Sequence, residues 1–93
     1  MRKLAAFAAG ITLLASSTAI AAERTVTLAV QNMYCAACPH TVRASLQAVS
    51  GVENVTVSMQ QKSAVVIYDD AKTNVQALTA ATANAGYPSS PKS

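Results

Sequence analysis

The hydrophobic spacing of this chain changes period several times, and the order of those changes constrains its fold more than any other feature. Thr25 to Val30 alternates polar and apolar residues, the period of a half-buried strand, with Val26, Leu28 and Val30 on one face. The period then lengthens. Val42, Leu46 and Val49 recur at helical intervals behind Pro39, and proline is favoured in the first helical turn. A helix is therefore predicted from about Pro39 to Val49, with Gly51 as its left-handed stop. Val55, Val57 and Met59 alternate again as a second strand. Gln60-Gln61-Lys62 reads as a polar turn, and Ser63 to Tyr68 as a third strand with Ala64, Val66 and Tyr68 on one face. Thr73-Asn74-Val75-Gln76 has the form of a capping box with Thr73 as the cap. The helix behind it carries Val75, Leu78, Thr82 and Ala85 inward and stops at Gly86, and a short last strand follows from Tyr87.

The order β-α-β-β-α-β is the split βαβ plan. The fold class is accordingly α+β and ferredoxin-like: a four-stranded antiparallel sheet with two helices on one face. Ahead of it, Arg2 and Lys3 precede a mostly apolar run from Leu4 to Leu14 and then small residues to Ala22. That is the pattern of a secretory signal peptide, and Ala19-Ile20-Ala21 fits its cleavage site. A membrane span needs ~20 consecutive apolar residues, and here Ser16, Ser17 and Thr18 interrupt the run. Residues 1–21 are therefore expected to be cleaved, leaving 22–93 as one small domain. The whole-chain charge of +3 then falls to +1, from Arg24, Arg43, Lys62, Lys72 and Lys92 against Glu23, Glu53, Asp69 and Asp70. No basic cluster remains to bind nucleic acid.

The chemistry lies between the first strand and the first helix. Cys35-Ala36-Ala37-Cys38 holds the only two cysteines of the chain, and Pro39 follows at once. The proline places Cys38 at the helix N-cap and Cys35 on the loop before it. A helix N-terminus favours negative charge and lowers thiol pKa. Two thiols at this spacing meet as a disulfide or as two ligands of a soft metal ion. They make only half of a structural zinc site, which takes four ligands.

Asn32-Met33-Tyr34-Cys35-Ala36-Ala37-Cys38 resembles the G-M-T-C-x-x-C signature of heavy-metal-associated domains. Within that family, residues 22–93 are similar to the periplasmic mercuric-ion-binding group, through Thr25-Val-Thr-Leu-Ala-Val30, Cys35 to Pro39, Ala64-Val-Val66, Asp69-Asp70 and Ala85-Gly-Tyr-Pro-Ser-Ser90. The resemblance implies that Cys35 and Cys38 bind Hg(II) and pass it to an inner-membrane mercury transporter, and that the protein is a periplasmic monomer rather than an enzyme. Soft thiolates select soft ions, in agreement with it. An extracytoplasmic space also favours disulfides, so the pair must be reduced before it binds metal. Two residues depart from the signature. Asn32 replaces Gly and tolerates positive φ better than most residues. Tyr34 replaces Thr and is expected to point to solvent, because Tyr87 holds the family's aromatic position facing the metal loop.

Blander readings stand beside these. His40, two residues past Cys38, is expected to be a solvated helix residue rather than a third ligand. Met33 is expected to anchor the loop in the core, and Met59 to pack. Tyr87 either shields the site or simply packs in the core. Two other functions use the same pair: a Cu(I) carrier on the same fold, and a thiol–disulfide oxidoreductase with Cys35 as nucleophile. Ala36-Ala37 matches no common redox dipeptide, and the Trp usual before the first Cys of thioredoxins is absent.

Overall fold

The structure is a computed structural model and describes residues 22–92. The expected signal segment, residues 1–21, lies outside the described residues. Six elements follow in the predicted order: β1 (Glu23–Val30), α1 (Cys38–Gln47), β2 (Val52–Ser58), β3 (Ser63–Asp69), α2 (Val75–Asn84) and β4 (Ser89–Pro91). The strands form one antiparallel sheet in the order β2-β3-β1-β4. This is the ferredoxin-like arrangement.

The register explains why the alternation was so clear. Val55 pairs with Val66, which pairs with Val26; Val57 pairs with Ala64, which pairs with Leu28. Each inward residue of one strand thus lines up with inward residues of its neighbours. Val42 and Leu46 of α1 and Leu78 of α2 close over this face, joining Leu28, Val30, Val55, Ala64, Val66 and Tyr68 in one core. Pro91 is tolerated in β4 because that strand lies at the sheet edge.

Several boundaries shift from the sequence expectation. The cap of α1 is Ala37 rather than Cys38, because the Ala37 carbonyl already accepts the first intrahelical bond, from Thr41 N–H at 3.2 Å. Cys38 is then the first helical residue and Pro39 the second. The helix ends at Gln47, so Val49 packs half-buried beyond it. Gly51 does have positive φ, 97°, but it serves the turn into β2 rather than the helix end. A Cβ there would stand 2.7 Å from the Lys72 Cβ, so that turn also requires close approach. Gly86 does end its helix. Its φ is 97°, its N–H donates to the Ala83 carbonyl at 3.0 Å, and Tyr87 N–H donates to the Thr82 carbonyl at 2.8 Å. That pair of bonds is the Schellman motif. Tyr87 lies in this turn, ahead of β4 rather than within it.

The expected capping box is not formed. Asn74 is the cap of α2, its Oδ1 accepting from Ala77 N–H at 2.9 Å. Thr73 instead turns inward, buried, and its hydroxyl has no partner among the described residues. Losing a cap of this kind costs about 1 kcal/mol, whereas an unpartnered buried hydroxyl is replaced by a methyl group at little cost or at a gain. Urea denaturation should therefore show Asn74→Ala less stable by about 1 kcal/mol and Thr73→Val unchanged or more stable. The reverse ranking would mean that Thr73 caps the helix after all.

Candidate metal centre

The two cysteines sit where β1 runs out of the sheet. Because β1 is a central strand, the chain leaves it between two turns: the β2–β3 turn on one side and the α2–β4 turn on the other. Both hold it. Val30 N–H donates to the Lys62 carbonyl, and Gln31 N–H to the Pro88 carbonyl, each at 2.8 Å. Asn32 takes φ 70°, the left-handed conformation expected where the signature has Gly. Its side chain adds a contact the sequence did not reveal: Nδ2 donates to the Gly86 carbonyl at 3.1 Å.

Beyond Asn32 the chain alternates between core and solvent. Met33 is 0% exposed and belongs to the core, as expected. Burying such a side chain contributes roughly 1.5–3 kcal/mol, against about 1 kcal/mol for an ordinary hydrogen bond, so Met33 holds the loop more firmly than either neutral backbone bond at its base. Tyr34, Cys35, Ala36 and Ala37 are exposed, and Cys38 is buried again, at 4%. Cys38 continues into the inward face of α1 with Val42 and Leu46.

Cys35 and Cys38 are brought together, and in this structure they are joined as a disulfide, with Cα atoms 5.2 Å apart. The sequence left both states open, and the oxidised one is observed. The local backbone fits the pair closely. Cys38 N–H donates to the Cys35 carbonyl at 3.1 Å, and Cys35 N–H donates to Cys38 Sγ at 3.2 Å. The start of α1 has few free donors left for a ligand: Pro39 has none, and His40 N–H donates to the Ala37 carbonyl at 3.1 Å. The amide aimed at sulfur thus comes from Cys35, in the loop, rather than from the helix end that the sequence suggested.

No third donor joins them. Among the described residues there is no cluster of three or more His, Cys, Asp or Glu, and His40 is exposed on α1. The one ion pair among the described residues lies at the other end of β1. Arg24 Nε donates to Asp70 Oδ2 at 2.8 Å, which raises the Arg24 pKa further. The Glu53 pKa is raised, chiefly by the neighbouring Glu23 carboxyl. Neither group bears on the cysteines.

Tyr34 is 78% exposed, as expected, and it is the one large hydrophobic residue exposed among the described residues. It is not left alone. Lys62 Nζ lies 4.8 Å from its ring centroid and donates to the Met33 carbonyl at 3.2 Å. Reading residues 60–62 as a polar turn missed this contact, and only the three-dimensional approach of the β2–β3 turn reveals it. Tyr87 is half-buried and packs against the core, beside the Gly86 carbonyl that holds Asn32.

Comparison with known proteins agrees with this geometry. Residues 27–88 match the heavy-metal-associated domain. The chain is 58% identical over 72 residues to a mercuric transport protein periplasmic component from Shigella flexneri, covering 77% of this chain and 79% of that protein. It superimposes on the crystal structure of oxidized MerP from Ralstonia metallidurans CH34 with a TM-score of 0.76 at 56% identity, covering 77% of this chain and all of the other. A mercury-bound form of MerP, the periplasmic protein of the bacterial mercury detoxification system, superimposes with a TM-score of 0.69 at 57% identity and the same coverage of 77% and 100%.

The difference in burial predicts an order of reaction. In the reduced protein, brief substoichiometric iodoacetamide should label mainly Cys35, which is exposed, and spare Cys38, which the start of α1 covers. Peptide mass mapping reads the outcome, and labelling mainly on Cys38 would reverse the two roles.

Proposed function

This chain belongs to the heavy-metal-associated domain family, and from that premise we propose that it is a periplasmic Hg(II) carrier whose two ligands are Cys35 and Cys38. The observation that carries the reading is the pairing of one exposed and one buried sulfur on an outer loop, with no third donor beside them among the described residues. The mercuric relatives add the metal and the compartment. Residues 1–21 act as the cleaved signal that delivers the chain to that compartment.

The chemistry follows from the donor set. Both thiols must be reduced and deprotonated to bind, because the thiolate is the ligand. Cys35, facing solvent, meets the incoming ion first. Cys38 then closes the chelate from its place at the start of α1, with the Cys35 amide N–H directed at its sulfur in the oxidised form. A metal ion between the sulfurs needs more room than the bond it replaces, so the loop opens on going from disulfide to metal-bound form. Mercury with two sulfur ligands accepts a third. A thiol from an inner-membrane transporter adds as thiolate before Cys35 leaves, a second displaces Cys38 in the same way, each departing sulfur takes up a proton, and the ion passes across without being free in solution. The protein does this as a monomer, carrying its cargo without a catalytic step.

Titration of the reduced protein with Hg(II), followed by native mass spectrometry, should give one ion per chain and loss of two thiol protons. Cys35→Ser and Cys38→Ser should each weaken binding by about a hundredfold or more, because the second ligand acts at high effective concentration. Parallel titrations with Cu(I) and Zn(II), at matched free thiol, should give weaker binding. Tight mercury binding by either serine variant would remove the shared site. Catalytic reduction of insulin disulfides by the wild type would instead favour an oxidoreductase.

A further inference from the structure

Lys62 lies outside the cysteine loop but reaches it through its side chain. It occupies the β2–β3 turn in the left-handed conformation, φ 52°. Its backbone is tied on both sides: its N–H donates to the Met59 carbonyl at 3.3 Å, and its carbonyl accepts from Val30 N–H at 2.8 Å. From that fixed base its side chain crosses to a segment 29 residues earlier in the chain. The ammonium donates to the Met33 carbonyl at 3.2 Å and stands 4.8 Å from the Tyr34 ring centroid. One residue thus contacts the end of β1, the buried anchor of the loop and the exposed residue next to Cys35.

We propose that Lys62 is a positioning residue for mercury capture, a clamp that fixes the Met33–Tyr34 peptide and so confines the movement of the cysteine loop to Cys35, Ala36 and Ala37. The proposal rests on Cys35 and Cys38 being the mercury ligands and names what holds them ready. Chain freedom is what the clamp limits. Cys35 must move when a disulfide gives way to a metal ion, and again when an incoming thiol displaces it. Every residue that becomes free with it must be ordered again on binding. A carbonyl held by an ammonium is a charge-assisted bond, roughly twice as strong as a neutral one. A cation over a ring adds to it. Together they stop the loosening one residue short of Cys35.

The clamp also accounts for Tyr34. A threonine at that position offers no π-face, so Lys62 would have the carbonyl alone. The bulky ring lies exposed with a cation against it, and there it orders the loop. The expectation of a solvent-facing ring is met, and the Lys62 contact keeps the exposed ring from leaving the loop free.

The test uses the reduced protein as wild type, Lys62→Met, Lys62→Arg and Tyr34→Thr. Two quantities are read: amide hydrogen exchange across the fold, and the rate at which bound Hg(II) is lost to an excess of a small dithiol. Lys62→Met should speed exchange at Tyr34 and Cys35 by about tenfold, leave Val26 and Val66 unchanged, and accelerate mercury loss. Lys62→Arg should restore both values, since a guanidinium also donates and stacks. Tyr34→Thr should loosen the same amides by a smaller factor. Wild-type exchange at the loop in Lys62→Met would overturn the clamp. So would an increase spread evenly over Val26, Val66 and the loop, because Lys62 would then support the sheet as a whole. If the wild type bound no mercury, the capture reading would fall, while amide exchange would still decide whether the clamp exists.

Discussion

The site depends on the burial of Met33. Its side chain lies wholly in the core, yet the next residue is the one large hydrophobic residue exposed among the described residues. Five positions on, Cys38 returns to the core at the start of α1. Tyr34, Cys35, Ala36 and Ala37 therefore form an exposed arch between two buried anchors. Without the first anchor, Cys35 would belong to a long free loop, and closing two thiols on one ion would cost the ordering of every residue in it. With it, only the arch has to adapt. The two alanines contribute by being small, since neither carries a side chain that must find a place when the arch changes shape.

The two sulfurs then differ in what the fold lets them do. Cys38 is part of a helix whose next inward residues are Val42 and Leu46, so moving it would disturb the core. Cys35 has no such ties beyond the backbone bonds to its partner. A site built from one fixed and one movable ligand suits exchange. In the proposed carrier, the fixed sulfur keeps the ion on the protein while the movable one is replaced. The turns around the arch hold its base through backbone carbonyls of Lys62, Gly86 and Pro88, groups that any residue supplies. That is why much of the support is invisible to a motif.

What the sequence revealed and what it hid divide along the same line. Val26, Leu28 and Val30 were legible as one face because β1 is buried on one side and its neighbours keep the same register. Asn32 and Met33 were legible because each is constrained locally, one by its positive φ and one by its apolar side chain. The misses come from competition or from distance. Thr73 and Asn74 are both good caps, and only the burial of Thr73 decides between them. Ala37 carries no capping side chain, so nothing in its identity marked it as the cap of α1. Lys62 looked like any polar turn residue, since its partners are 29 residues away and no local period encodes such an approach.

The fold does not need the bond between its cysteines. A disulfide stabilises by restricting the unfolded chain, and the restriction is small when the closed loop is short; Cys35 and Cys38 are separated by only three positions. The stability of the domain resides instead in the rows Val55–Val66–Val26 and Val57–Ala64–Leu28 and in the helix residues packed on them. Those rows share no residue with the arch. The pair can therefore change its redox state or its ligands while the core stays folded. That separation suits the proposed carrier, whose two sulfurs must be reduced before they can bind metal in a compartment that favours disulfides.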